Sequence, residues 1–153
     1  MGGISKYRSR TVLFDLQERK VVEGYCNHVK KGNPRYRTFA SVLEFRTYLA
    51  LLAFYRMDLI RCQQDIVLIP REGKMSSVTY VPDFVILDDE GAIHRIYEAK
   101  GIETSVFKLK ARLLYSVFPK YYEKLVLVTQ KPSRSPMESV TLYDLPRYLE
   151  KHG

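Results

Sequence analysis

Residues 78–101, VTYVPDFVILDDEGAIHRIYEAKG, hold an aspartate directly after a proline, then a turn, then a glutamate and a lysine separated by one alanine. A carboxylate or an ammonium inside an apolar strand costs free energy unless something compensates it. Strand side chains alternate between faces, so Glu98 and Lys100 point one way and Ala99 the other. If DDEG closes a hairpin in which Leu87 faces Ala92, Asp83 lies opposite Ile96 and diagonal to Glu98. Asp83, Glu98 and Lys100 then share a face, whereas a slip of one residue would turn Asp83 away. Two carboxylates so placed repel, and one takes up a proton unless a cation lies between them. A divalent cation would answer this, with Lys100 offsetting part of the remaining charge. The plainer alternative is a salt bridge on a solvated sheet face. Against it, PDFVIL and the strand before it are apolar on both faces. Pro82 suits an edge strand or a bulge, where its missing N–H does no harm.

The elements around these residues follow from local patterns. SVLEFRTYLALLAFYRMD, 41–58, has helical spacing of Val42, Phe45, Leu49 and Leu52, with Ser41 as N-cap. LIRCQQDIVLIP is expected as one strand ending at Pro70, and VTYVPDFVIL as the next. AIHRIYEAK follows the DDEG turn as a third. TSVFKLKARLLYSVF, 104–118, is expected as a helix with Val106, Leu109 and Leu113 inward, capped by Thr104 or Ser105. KLVLVTQ then forms a central strand, SVTLY a last one, and DLPRYLEK a closing helix with Asp144 at its cap. The order from 41 onward is α-β-β-β-α-β, a meander followed by a helical crossover, which implies an α/β mixed sheet flanked by helices. Before it, TVLFDL–QERK–VVEGY reads as a hairpin and HVKKGNPRYRTFA as a basic loop. The 153 residues therefore divide into an extension (1–40), a core (41–129) and a tail (130–153) within one domain.

Composition narrows the partners. Hydrophobic residues make up 46% of the chain, which marks a globular rather than a disordered protein. No apolar run is long enough to span a membrane and no signal peptide is evident, so the expected location is the cytoplasm. Cys26 and Cys62 are isolated, and His28, His94 and His152 are scattered. Any metal would therefore be oxygen-bound, which suits magnesium or manganese. A net charge of +8 favours a polyanionic partner. Lys6, Arg8 and Arg10 suggest an arm, and Lys30, Lys31, Arg35 and Arg37 a basic loop over phosphates. Lys108 and Arg112, four apart on one helix face with Lys110 off it, are further phosphate contacts, a solvated face being the alternative. Of 12 tyrosines, Tyr7, Tyr36, Tyr121 and Tyr122 stand beside basic residues, where they could stack on bases or simply pack.

Pro82-Asp83 and Glu98-Ala99-Lys100 on adjacent strands of an α-β-β-β-α-β order resemble the PD-(D/E)xK nuclease superfamily, over about residues 41–129. The resemblance implies a restriction-endonuclease-like core. It also implies a Mg2+-dependent phosphodiester hydrolase, with Mn2+ able to replace the magnesium. Asp83 and Glu98 would be metal ligands, Lys100 the catalytic lysine, and the carbonyl of Ala99 a further ligand. Glu44 in SVLEF matches a first-helix glutamate of many members. It equally fits a capping box with Ser41. Gln64 resembles a glutamine near the site in some branches. Among branches, Holliday junction resolvases of archaeal type and their small phage relatives are most similar, which implies a homodimer acting on four-way or other branched DNA. The apolar, tyrosine-rich segment 113–122 is one patch for that dimer. Transposon-end and phage head-completion nucleases share the layout, and a nucleic-acid-binding module of the same fold without activity stays open.

Overall fold

The structure, a computed structural model, describes residues 11–22 and 33–153. Lys6, Arg8, Arg10, Cys26, His28, Lys30 and Lys31 lie outside the described residues. In chain order the elements are β1 (Val12–Asp15), β2 (Lys20–Val21), β3 (Tyr36–Phe39), α1 (Val42–Phe54) and a 3-10 turn (Met57–Leu59). They continue with β4 (Ile60–Cys62), β5 (Ile66–Ile69), β6 (Val78–Tyr80), β7 (Phe84–Leu87) and β8 (Ile93–Ala99). The chain closes with α2 (Ser105–Val117), α3 (Pro119–Tyr122), β9 (Leu125–Thr129), β10 (Ser139–Thr141) and α4 (Leu145–His152).

A five-stranded mixed sheet runs in the order β10-β9-β8-β7-β4. Strands β8, β9 and β10 are parallel, and β7 and β4 antiparallel to their neighbours. The central strand is therefore β8, which carries Glu98, and β9 lies beside it rather than at the centre. Both faces are covered, as continuous apolar strands require. On one face Phe84, Ile86, Tyr97, Val126 and Val128 pack with residues of α1 and α4. On the other, Val85, Ile96, Leu125 and Leu127 pack with Phe107, Ala111 and Leu114 of α2.

The two long strands expected before the hairpin are each broken in the middle. Ile60 opposes Ile86 and, six residues on, Ile66 opposes Tyr80, so one antiparallel register persists across the break. The breaks fall at Gln63–Asp65 and Val81–Asp83, where Gln63 adopts a positive φ of 58° and Pro82 has no N–H to give. Gln64 thus sits in the break rather than on a strand. Beyond it β5 and β6 leave the main sheet as a separate two-stranded ribbon.

The helices differ from the expected faces. α1 ends at Phe54, and its buried residues are Leu43, Phe45, Thr47, Tyr48 and Leu51, while Leu49 is exposed. In α2 the buried stripe is Phe107, Ala111 and Leu114, and Val106 and Leu109 are more than 60% exposed. Apolar residues stand on two flanks of α2, so a stripe read from hydrophobicity alone selects the wrong one. Leu114 of the expected dimer patch is fully buried, while Tyr115 and Val117 are exposed.

Residues 36–39, expected as loop, form β3, which pairs with β1 in a sheet of order β2-β1-β3. This sheet delivers Phe14 and Phe39 into the core, where they meet Phe45, Tyr48 and Phe84 at centroid distances of 5.0–6.4 Å. Residues 11–22 and 33–40 are thus part of the fold rather than an appendage. An ion pair between buried Asp15 and exposed Arg35 fastens them: Arg35 Nη2 donates to Asp15 Oδ2 at 2.8 Å, and Arg35 Nε reaches both oxygens. The amides of Gln17 and Glu18 donate to Asp15 Oδ1. These donors, Arg35 foremost, hold the Asp15 carboxyl down at about 2 against the opposing effect of burial.

Because the folded value lies below the unfolded one, Asp15 stabilises the fold above the unfolded value, and that contribution is lost as pH falls from about 4 to 2. Thermal melts across this range should show Asp15→Asn less stable than wild type at pH 7, with the gap closing near pH 2. A gap independent of pH would contradict this.

Candidate functional site

Asp83 ends the second break, at the point where the chain re-enters the main sheet as β7. Phe84 opposes Tyr97 and Val85 opposes Ile96, a register displaced by two residues from the one expected. The cause lies in the turn. Asp88 and Gly91 form a tight loop, with Gly91 at φ 86°, the amide of Gly91 on Asp88 O and the amide of Asp88 on Ala92 O. A bulge at His94 then adds one more residue to β8. A displacement of two leaves every side chain on its expected face. Asp83 is thereby level with Glu98 rather than diagonal to it.

Contacts around this pair bind the two acids to each other's backbone. The amide of Asp83 donates to Glu98 Oε2 at 3.2 Å, and the amide of Ala99 donates to Asp83 Oδ2 at 2.9 Å. Tyr80 Oη donates to Glu98 Oε2 at 2.9 Å, and Lys100 Nζ to Glu98 Oε1 at 3.1 Å. Lys100 Nζ also lies 4.5 Å from the centre of the Phe107 ring, which fixes its direction by a cation–π contact. Glu98 is almost fully buried, yet three donors satisfy it.

Asp83 is less well provided for. Burying an ion costs several kcal/mol even after relaxation, and one hydrogen bond to a charged group returns about 1.5–3 kcal/mol. Burial, the charge of Glu98 and the charge of Glu44 push the Asp83 carboxyl up to about 8, against the Ala99 amide and Lys100. Without a cation, these influences favour the protonated form of Asp83 at neutral pH.

Glu44 stands at the start of α1 and serves its cap. Its amide donates to Ser41 Oγ at 3.1 Å, and its Oε2 accepts from the amide of Ala40 at 3.3 Å, one residue before the expected Ser41 amide. Partial burial raises its carboxyl, opposed by the Ala40 amide, and the charges of Glu98 and Lys100 act on it as well. The same side chain is thus both a cap and a neighbour of the pair. Cys62 adjoins the cluster too: burial drives its thiol to about 11, and the charges of Glu44 and Asp83 add to this.

The donor set of Asp83, Glu98 and Glu44 is all carboxylate, and an under-compensated, half-buried carboxyl fits a hard divalent cation. Among the described residues, however, no three His, Cys, Asp or Glu side chains are gathered closely enough to form a metal-binding group. Asp83 and Glu98 adjoin, while Glu44 is turned to its cap.

The expected phosphate contacts divide. Arg35 is committed to Asp15, and Arg37 lies over the Tyr48 ring at 5.5 Å. Lys108 and Arg112 are exposed on one side of α2. Sequence reading passed over Tyr80 and Phe107, which orient Glu98 and Lys100. In an unbroken strand Tyr80 and Asp83 would face opposite ways. The break at Val81–Asp83 brings them to the same acid, and only Pro82 hinted at it.

Asp83 makes metal-free stability depend on pH. Its folded value lies above the unfolded one, so stability is greatest at low pH and declines as pH rises from about 4 towards 8. In EDTA, Asp83→Asn should melt above wild type at pH 8, by about 2–4 °C per kcal/mol relieved, and level with it near pH 4. Equal melting at pH 8 would contradict the assignment of the proton.

No protein-family model, no curated protein and no solved structure matches the chain.

Proposed function

We propose that the chain is a Mg2+-dependent DNA endonuclease with a restriction-endonuclease-like core, selective for branched DNA such as four-way junctions and acting as a homodimer. The observation that carries the proposal is the pairing of half-buried Asp83 with buried Glu98 beside Lys100, an arrangement that a solvated salt bridge does not require. Asp83 and Glu98 would hold the cation, with the Ala99 carbonyl and Glu44 as further ligands once Glu44 leaves the Ala40 amide. Bound magnesium supplies a polarised water and neutralises a non-bridging phosphate oxygen.

The protein groups have separate tasks. Tyr80 and the Asp83 amide fix Glu98 so that its oxygens keep their direction when Lys100 moves. Phe107 holds the ammonium of Lys100 within reach of a phosphate, where it would orient the attacking water or meet developing negative charge. Asp83 would hold the cation as the carboxylate, without its proton. Lys108 and Arg112, exposed on α2, would hold the DNA backbone, as would Lys30 and Lys31. Among the described residues no helix is long and apolar enough to cross a membrane.

A second reading, a nucleic-acid-binding module without catalysis, is favoured by one observation: among the described residues no third His, Cys, Asp or Glu is gathered beside the pair. Cleavage of a labelled four-way junction and a matched linear duplex separates the two. With Mg2+ the junction should be cut, with EDTA not, and Lys100→Ala should lower the rate by about 10²–10³-fold. Equal cutting of both substrates would keep the nuclease and remove junction selectivity. Tight binding without cutting would leave the binding module.

A further inference from the structure

A groove of about 830 Å3 opens between α2 and residues 134–137. That volume lies within the range of sites that hold a small organic ligand. Its composition sets it apart from an ordinary surface dent. Lys108, Arg112 and Tyr115 recur at helical spacing along one flank of α2, and Tyr122 and Arg134 complete the wall. The flank is distinct from both the buried stripe of Phe107, Ala111 and Leu114 and the exposed apolar stripe of Val106 and Leu109.

The rings and charges are set in place. Tyr115 and Tyr122 meet edge to face, with centroids 5.1 Å apart and planes at 79°. The guanidinium of Arg112 lies 5.3 Å from the Tyr115 ring, and its Nη1 donates to Ser116 Oγ at 2.6 Å. The one carboxylate of the wall, Glu103, accepts from Ser135 Oγ at 3.1 Å and so ties the 134–137 segment to the start of α2. Three cations therefore face one engaged acid, around two aromatic rings and an apolar floor of Ala111 and Met137.

Cations beside aromatic rings, of which Tyr115 is exposed and Tyr122 half-buried, are what a phosphate and a base together require. A base within a duplex has both faces covered by its neighbours and offers only its edges. An unpaired base can stack. The groove and the candidate site share the first turn of α2, because Phe107, against the ammonium of Lys100, directly precedes Lys108 of the groove wall.

We propose that this groove takes an unpaired nucleotide of a DNA strand, its base against Tyr115 or Tyr122 and its phosphate on Arg134, Lys108 or Arg112. The preferred substrate then carries a single-stranded segment next to the cleaved bond. This rests on the nuclease reading for its use, but not for the binding itself. The test is fluorescence anisotropy in EDTA with fluorescein-labelled oligo(dT) and with a labelled duplex of equal length, on the full chain. Tyr122→Ala should weaken oligo(dT) binding by about tenfold, the loss expected for one stacked base, and leave duplex binding nearly unchanged. Tyr122→Phe, which keeps the ring, should bind as wild type. Arg134→Ala should flatten the salt dependence by about one unit of slope. Tyr115→Ala, at a more exposed position, serves where Tyr122→Ala does not fold. Unchanged oligo(dT) affinity in the folded alanine variant, or equal losses on single strand and duplex, would overturn the proposal. Groove-dependent binding without Mg2+-dependent cleavage would leave this inference standing and remove only the nuclease reading.

Discussion

Two carboxylates placed side by side where β7 begins and the central strand β8 ends are the constraint on which the rest of this structure turns. Glu98, buried, is on the central strand, and Asp83, half-buried, is level with it. The protein satisfies Glu98 with a tyrosine, an amide and a lysine, and leaves Asp83 with one amide. For a purely structural acid the asymmetry is costly, since well-packed apolar residues would serve a sheet better. It becomes intelligible if Asp83 is held for a cation.

The surroundings serve that placement. The break at Val81–Asp83 frees the Asp83 amide from the ladder so that it can meet Glu98, and turns Tyr80 toward the same oxygen. α1 is anchored by the aromatic cluster of Phe14, Phe39, Phe45 and Tyr48, which sets the position of Glu44 at its first turn. That cluster depends in turn on β1 and β3, clasped by Asp15 and Arg35. Among the described residues, Arg35 and Arg37 thus hold the fold, while Lys108, Arg112 and Arg134 face one groove.

Much of this was legible in the sequence, and the failures have physical causes. Alternation alone placed Asp83, Glu98 and Lys100 on one face, because parity survives an even displacement of register. The pairing partner of Asp83 was not legible, since it depended on a bulge at His94 that no residue type announces. The succession of elements from residue 41 was read correctly apart from the short helix α3 and the two strand breaks. A strand bent while staying in register keeps its hydrophobic pattern. The stripe of α2 misled because Val106 and Leu109 are apolar yet exposed, so hydrophobicity pointed to the wrong side. Arg35 read as a phosphate contact because its partner, Asp15, is twenty residues away in sequence.

The central claim is that the proton on Asp83 stands where a divalent cation belongs. Calorimetric titration with Mn2+ at pH 7 in buffers of different ionisation enthalpy tests it most directly, because ligands must lose their protons as metal binds. The account predicts binding accompanied by release of about one proton, seen as buffer-dependent heat, with the proton release lost in Asp83→Asn. No binding, or binding whose heat is the same in every buffer, would contradict it.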